Sequence, residues 1–202
     1  MDEMKIVLIR HLCTPGNEKK QYIGRTDESL SENAVEAFQR SRNSYPAVQT
    51  VIASPMKRCI ETARLIYPQA DICIEPMLRE CDFGLFEGRT YEELKEEPAY
   101  TAWLKSGGTT AFPGGEAQEE FRARCVEGIR KWINVLTEEK AESAAFVVHG
   151  GTIMAALSRL AEEPHDFYHW QVENGGGYEA SVREEEWMNG RKYLEEVRRI
   201  SA

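Results

Sequence analysis

The sequence predicts an α/β fold with a mainly parallel central sheet covered by helices on both faces. Three observations carry that prediction. Short apolar runs rich in β-branched residues recur, as in Lys5–Ile9 and Ala145–Val148. Amphipathic stretches alternate with them. A strong turn signal, Asn189-Gly190, lies between two β-prone segments near the C-terminus and adds at least one antiparallel strand. The chain has 202 residues, 42% hydrophobic and 29% charged, which suits one globular domain over 1–202.

The elements follow in order. Lys5–Ile9 reads as a strand buried on both faces, stopping at Arg10-His11 before a Thr/Pro/Gly/Asn-rich stretch. Ser31 reads as the N-cap of a helix carrying Ala34, Phe38 and Ser41 on one face. Gln49–Ala53 is a second strand, and Ser54-Pro55 is expected to open a helix as N-cap and N1, with Cys59, Ala63 and Ile66 facing inward. Asp71–Ile74 is a third strand. From Pro76 to Gly115 the periodicity loosens into helical pieces at 90–96 and 98–104 and a Gly/Pro-rich loop at 107–115, so 76–115 is expected to be a lid insertion. The strongest helix runs from Glu116 to Leu136, with Phe121, Cys125, Ile129, Trp132, Ile133 and Leu136 on one face. Ala145–Val148 is a strand ending at His149-Gly150-Gly151, and a helix over Thr152–Leu160 follows. The segments Tyr178–Trp187 and Arg191–Val197 form the expected terminal hairpin, with Glu184–Glu186 as a solvated edge.

A net charge of −9 argues against the broad basic surface that nucleic acids or anionic membranes require. No run approaches the ~20 apolar residues of a membrane helix. The apolar run Ile6–Ile9 gives way at once to Arg10 and His11, so no secretory signal is expected. The five cysteines, Cys13, Cys59, Cys73, Cys81 and Cys125, are odd in number and lack C-x-x-C spacing, which points to reduced thiols and a cytoplasmic setting. His165 and His169 have i,i+4 spacing, but without a third ligand nearby no metal site is expected. Cys13 lies in a loop that could suit a thiolate nucleophile, but Lys19 stands where a cysteine phosphatase needs an arginine fork.

Residues beyond the carboxyl ends of parallel strands converge on one crevice. His11 and His149 occupy such ends, and Arg10 and Arg58 lie at comparable boundaries. Two guanidiniums and two imidazoles suit a phosphoryl group, with helix N-termini after Pro55 and His149 adding N–H donors. Imidazole is a competent nucleophile near neutral pH. Glu80, within Leu78–Gly84, is the best candidate for the acid that protonates a leaving oxygen.

These residues sit in longer motifs. Ile9-Arg10-His11-Leu12-Cys13-Thr14-Pro15-Gly16-Asn17, Tyr22-Ile23-Gly24-Arg25, the helix from Ser54 through Arg58 to Ala63, Leu78-Arg79-Glu80 with Phe83-Gly84 and Glu87-Gly88, Pro113–Glu116 and Val148–Thr152 occur in order. Together they resemble the histidine phosphatase superfamily, also called phosphoglycerate mutase-like, along nearly the whole chain. That resemblance implies a three-layer α/β/α sandwich and a phosphomonoesterase acting on a small phosphorylated metabolite. It implies His11 as the phosphorylated nucleophile, Arg10, Asn17, Arg58 and His149 as phosphate ligands, and Glu80 as the proton donor, with no metal or organic cofactor. Within the superfamily the Gln21–Gly24 loop and the stretch 99–116 look most like alpha-ribazole phosphatases, which remove a 5′-phosphate. Tyr22, Gly24, Arg25 and Gly150 are the expected substrate contacts beyond the phosphate. Trp103 could join them, although packing in the lid is its simpler reading. Leu12 departs from the family's usual glycine. A phosphate-binding protein without turnover and a phosphoglycerate mutase therefore stand as alternatives, and self-association into a homodimer is left open.

Overall fold

The structure, a computed structural model, describes residues 3–41, 45–108 and 110–200. Its elements in chain order are β1 (Glu3–Arg10), α1 (Pro15–Glu18), α2 (Glu32–Arg40), β2 (Thr50–Ala53), α3 (Lys57–Ile66) and β3 (Ile72–Ile74). Then come α4 (Tyr91–Leu94), α5 (Pro98–Lys105), α6 (Gln118–Glu138), β4 (Ser143–Val148) and α7 (Gly150–Leu160). The chain ends with β5 (Gly177–Arg183), α8 (Glu184–Met188) and β6 (Glu195–Ile200).

The six strands form one sheet in the order β3-β2-β4-β1-β5-β6. β3, β2, β4 and β1 are parallel, and β5 runs antiparallel to both β1 and β6. This is the expected α/β architecture. Side-chain alternation along the strands explains its layers. Met4, Ile6 and Leu8 of β1 and Phe146 and Val148 of β4 face one way, against Ile129, Ile133 and Leu136 of α6 and Ile153 and Leu157 of α7. Val7, Ile9, Val51, Ala53, Ala145 and Val147 face the other way, against Cys59 and Ala63 of α3. A third cluster, with Phe86, Leu94, Tyr100, Trp103, Phe112 and Phe121, joins the segment 76–115 to α6 and α7.

Several boundaries differ from expectation for identifiable reasons. α3 opens at Lys57, with Met56 rather than Ser54 as N-cap, because the Ser54 hydroxyl is engaged by the His149 ring at 2.8 Å. α6 begins at Gln118, since Glu116 is drawn into a two-point pairing with Arg124 at 2.7 Å. α7 starts at Gly150, earlier than expected, with His149 as its N-cap. The terminal pair is not a tight Asn-Gly hairpin. Glu184–Glu186 form the first turn of α8, where carboxylates favour the helix N-terminus, and Gly190 (φ +100°) follows the end of that helix. Trp187 fixes this insertion: it is fully buried and its Nε1–H donates to Asn134 at 2.8 Å. His165 and His169 stack at 3.9 Å between ring centroids, and His169 sits in a 3-10 turn rather than on an α-helix. No cluster of three metal-ligating side chains occurs among the described residues. No helix among them is long and apolar enough to cross a membrane.

Phe146 lies midway along β4, paired with Leu8 on one side and Ile52 on the other, and is inaccessible to solvent. Phe146→Ala is expected to destabilise the protein by about 3–5 kcal/mol, the usual cost of an aromatic-to-alanine cavity. Urea unfolding checks it, through a lower transition midpoint at unchanged slope.

Candidate active site

The two histidines meet because β1 and β4 are parallel neighbours in the register Arg10↔Val148. Each strand ends there, and the His11 amide donates to the Val148 carbonyl at 2.9 Å. The two rings lie 5.3 Å apart, edge to face at 69°. His11 Nδ1 sits 2.6 Å from the Leu12 carbonyl oxygen. A carbonyl only accepts, so Nδ1 carries the proton and Nε2 keeps its lone pair. Burial pushes the His11 pKa well below the ordinary imidazole range, and the Arg58 charge pushes it further the same way. The ring therefore stays neutral to lower pH than a solvated imidazole does.

Leu12 does not narrow the site. Its side chain is buried, it is not among the residues lining the cavity, and its amide donates to Thr62 Oγ1 at 3.0 Å. Thr62 lies one turn after Arg58 on α3 and returns its own hydroxyl proton to the Arg58 carbonyl at 2.6 Å. The backbone that presents His11 is thereby tied to the helix that presents Arg58.

Arg58 is fully buried, and no carboxylate pairs with it among the described residues. Its guanidinium donates to the carbonyls of Thr26 at 2.7 Å and Gly24 at 2.8 Å, and its Nε–H donates to His149 Nδ1 at 3.3 Å. The loop supplying those carbonyls is held in turn by Glu87, whose Oε1 accepts from the amides of Gly24 and Thr26 at 2.8 and 2.9 Å. Gly24 has no room for a side chain, since a Cβ there would collide with the Cys81 carbonyl. Because Nδ1 of His149 accepts, the neutral ring carries its proton on Nε2, facing Ser54 Oγ. Burial, then Arg58, then His11 push the His149 pKa well down, which keeps that ring neutral.

Arg10, at the end of β1, donates to the Val172 carbonyl at 2.7 Å. Asn17 sits in the first turn of α1, where Thr14 and Asn17 form a reciprocal capping box. Its Oδ1 accepts from the Thr14 amide at 3.3 Å and from Asn174 Nδ2 at 3.1 Å, leaving the Nδ2 end of the amide uncommitted. Asn174 also donates to the His11 carbonyl at 3.0 Å, and the Gly175 amide donates to the carbonyls of Arg10 and His11. The Asn174–Gly177 stretch is thus a strap under the site.

Glu80 reaches the same place from the 76–115 segment. Its Oε1 accepts from the Cys81 amide at 2.9 Å and its Oε2 from the Gly151 amide, at the start of α7, at 3.3 Å. Burial raises its pKa, outweighing those two N–H groups and the charges of Arg58 and Arg10. A carboxyl of this kind holds its proton to higher pH than a solvated one.

Arg10, His11, Asn17, Tyr22, Glu80 and Gly150 line one cavity of about 410 Å³. Its remaining wall is largely aromatic, with Phe83, Trp103, Phe112, Phe121, Phe167 and Tyr168. Tyr22 is half-buried there and shares a 2.6 Å hydrogen bond with the Tyr100 hydroxyl. Trp103 both packs in the third cluster and faces the cavity. Arg58 and His149 lie behind His11, off the cavity surface. Arg25 lies outside it: exposed, it reaches Asp82 at 3.4 Å in a separate pocket. Gly24 turns its carbonyl to Arg58 rather than to the cavity. Sequence reasoning passed over Thr62 and gave Ser54 only a capping role, since both act in the site through hydrogen bonds alone. It also passed over Gln118, Arg122 and Gln171, which line the cavity without a motif to mark them.

A family model described as "Histidine phosphatase superfamily (branch 1)" matches residues 6–194. The chain belongs to that superfamily. Enzymatic phosphatase activity follows from the membership. The chain is 28% identical over 180 residues to the adenosylcobalamin/alpha-ribazole phosphatase of Escherichia coli K12, covering 85% of this chain and 87% of that one. It is 28% identical over 173 residues to a broad-specificity phosphatase of Saccharomyces cerevisiae, covering 80% and 72%. Among solved structures, the alpha-ribazole phosphatase of Shigella flexneri superposes with a TM-score of 0.75 at 26% identity, covering 95% and 93%. The histidine phosphatase fold of this chain therefore extends through the aromatic wall as well as the sheet.

A Cβ added at Gly151 would collide with Glu80 Oε1 and stand 2.9 Å from Phe121 Cζ. Gly151→Ala is expected to displace the carboxyl and lower kcat on alkyl phosphates at least tenfold. Circular dichroism should remain native, and steady-state kinetics on glycerol 3-phosphate measure the loss.

Proposed function

We propose that this histidine phosphatase is a phosphomonoesterase that forms a phosphohistidine on His11 and acts on a small phosphorylated metabolite. The observation that carries the reading is the proton lock on His11. With Nδ1–H donated to the Leu12 carbonyl, the Nε2 lone pair is the one nucleophilic position of a buried, neutral ring. Nε2 attacks phosphorus in line with the ester oxygen. The P–O ester bond breaks as the N–P bond forms, and the departing alcohol oxygen takes the proton of Glu80. Water then attacks the phosphoimidazole, giving its proton to the Glu80 carboxylate and releasing inorganic phosphate with Nε2 restored.

Charge on the transferred group is met directly by Arg10, with Asn17 offering its amide N–H groups, while Arg58, buried off the cavity surface, contributes its charge at longer range. His149 offers Nε2–H, which here faces Ser54 Oγ at 2.8 Å. Leu12, buried away from the cavity, supports turnover over a pocket that only binds phosphate. The segment 76–115 contributes Phe83, Trp103 and Phe112 to the wall, which supports its role as a lid. All five cysteines are free thiols, which supports a cytoplasmic setting. Alpha-ribazole 5′-phosphate enters as a candidate substrate through the names of the relatives above, and the flat aromatic faces of the wall suit a ring.

The test is hydrolysis of p-nitrophenyl phosphate and a panel of metabolite phosphates, including alpha-ribazole 5′-phosphate and 3-phosphoglycerate. His11→Ala is expected to abolish turnover and the acid-labile phosphoenzyme trapped by rapid quench. Label on another residue, or interconversion of 2- and 3-phosphoglycerate without phosphate release, would overturn the hydrolase reading.

The pH dependence has a definite sign. The neutral fraction of His11 rises with pH through its depressed pKa, and the protonated fraction of Glu80 falls with pH through its raised pKa. Activity on alkyl esters is therefore bell-shaped, with the alkaline limb belonging to Glu80. Glu80→Gln is expected to remove that limb and to slow alkyl esters by roughly 10²–10⁴-fold, but p-nitrophenyl phosphate much less. Equal slowing of both substrates in kcat/KM profiles would strip Glu80 of the acid role.

A further inference from the structure

We infer that the cavity holds a second anion subsite built on Arg122, so that the preferred substrate carries a carboxylate or a second phosphate besides the group that is transferred. This rests on the phosphoryl reading of His11 and asks what binds the rest of the molecule.

Arg122, on α6, lines the cavity and has no ion pair among the described residues. Two acidic residues close to it in sequence are already committed: Glu119, on α6, pairs with Arg159 at 2.8 Å, and Glu116, just before the helix, with Arg124 at 2.7 Å. A chain of net charge −9 thus leaves a half-buried guanidinium beside an apolar wall without a counter-charge. Such an arrangement costs stability unless a ligand supplies the charge.

The guanidinium is also held in place rather than loose. One NH2 proton goes to Gln118 Oε1 at 2.9 Å, and the guanidinium carbon lies 4.0 Å from the centroid of the Phe167 ring. Pre-positioning of this kind lowers the ordering cost of binding a carboxylate or phosphate.

A second observation points the same way. Among the described residues, three side-chain donors on cavity-lining residues are buried with no hydrogen-bond partner: Arg10 Nε, Trp103 Nε1 and Arg122 Nε. Arg10 belongs to the phosphoryl end. The other two cluster around Gln118, because a single point, a Cβ built on Gly108, lies 2.9 Å from Gln118 Nε2 and 3.3 Å from Trp103 Cζ2. Arg122 joins that cluster through its bond to Gln118. The lining residues at both places therefore carry a donor that the rest of the protein leaves unpartnered, buried within the wall rather than exposed on it.

The spacing suits one small molecule. Phe121, the residue before Arg122, places its Cζ 2.9 Å from the Gly151 point that Glu80 also crowds. The phosphoryl end and Arg122 line the same cavity of about 410 Å³, the size of a single small-molecule site. A substrate whose remainder is neutral, such as a ribose 5′-phosphate with an uncharged base, leaves Arg122 unanswered and is expected to be the poorer ligand.

The test uses substrate pairs that differ only in the second group. 3-Phosphoglycerate against glycerol 3-phosphate tests a carboxylate, and glucose 1,6-bisphosphate against glucose 6-phosphate tests a phosphate. The wild type should favour the more charged member of at least one pair in kcat/KM. Arg122→Met, which keeps the stem against Phe167, should cut that preference roughly 10- to 100-fold, the range for a charge-assisted pair. Arg122→Lys should restore part of it. Isothermal titration of the same pairs to His11→Ala reads the subsite without turnover. A failure of phosphate-ester hydrolysis would then sink the phosphatase reading alone. An absence of preference in both kinetics and titration, or a preference unchanged by Arg122→Met, would overturn the subsite.

Discussion

The site depends on one short hydrogen bond, from Nδ1–H of His11 to the carbonyl of the next residue. It selects the tautomer, orients the ring and needs no acidic partner to do so. A carboxylate in that position would have raised the imidazole pKa and favoured a cation that cannot attack phosphorus. The carbonyl serves only if the backbone at 10–12 cannot move. That rigidity comes from several directions: the Val148 carbonyl on the His11 amide, Thr62 on the Leu12 amide, and the 174–175 strap on the carbonyls of Arg10 and His11.

The positive charge around the nucleophile is arranged with similar restraint. Arg58 is buried against carbonyl oxygens and a neutral imidazole, and no acid pairs with it among the described residues, so its charge is not cancelled within the protein. Glu87 contributes at one remove, fixing the amides of the loop whose carbonyls hold the guanidinium. The raised pKa of Glu80 follows from the same enclosure. Burial that keeps the histidines neutral also favours the neutral form of the acid, so one dry environment sets both groups to the states the chemistry needs.

Much of this was legible in the sequence, and the parts that were not have physical explanations. The parallel sheet could be read from β-branched runs ending in polar residues. The convergence of Arg10, His11, Arg58, Glu80 and His149 could be read from motif order and strand-end geometry. Ser54 was misread as a helix cap because capping is a local signal, whereas its hydroxyl is claimed by a histidine 95 positions away. The terminal hairpin was misread because Asn-Gly marks a turn equally well after a helix, and the burial of Trp187 that stabilises α8 is tertiary. Arg25 and Gly24 look like substrate contacts in linear order, yet three-dimensional packing turns one outward to Asp82 and the other toward Arg58. Arg122 carried no motif at all, since an unpaired charge becomes visible only when its neighbours' partners are known.

The pairing of β1 with β4 has an evolutionary consequence. Because Arg10 stands opposite Val148, the two imidazoles emerge side by side only in this alignment of the strands. Slipping either strand by one position would send its histidine to the opposite face of the sheet while leaving a nearly equally apolar core. A one-residue deletion or insertion within either strand would therefore separate the two imidazoles. Changes of length in the segments between the strands leave that alignment untouched, so the loops around the cavity can vary while the two imidazoles stay together.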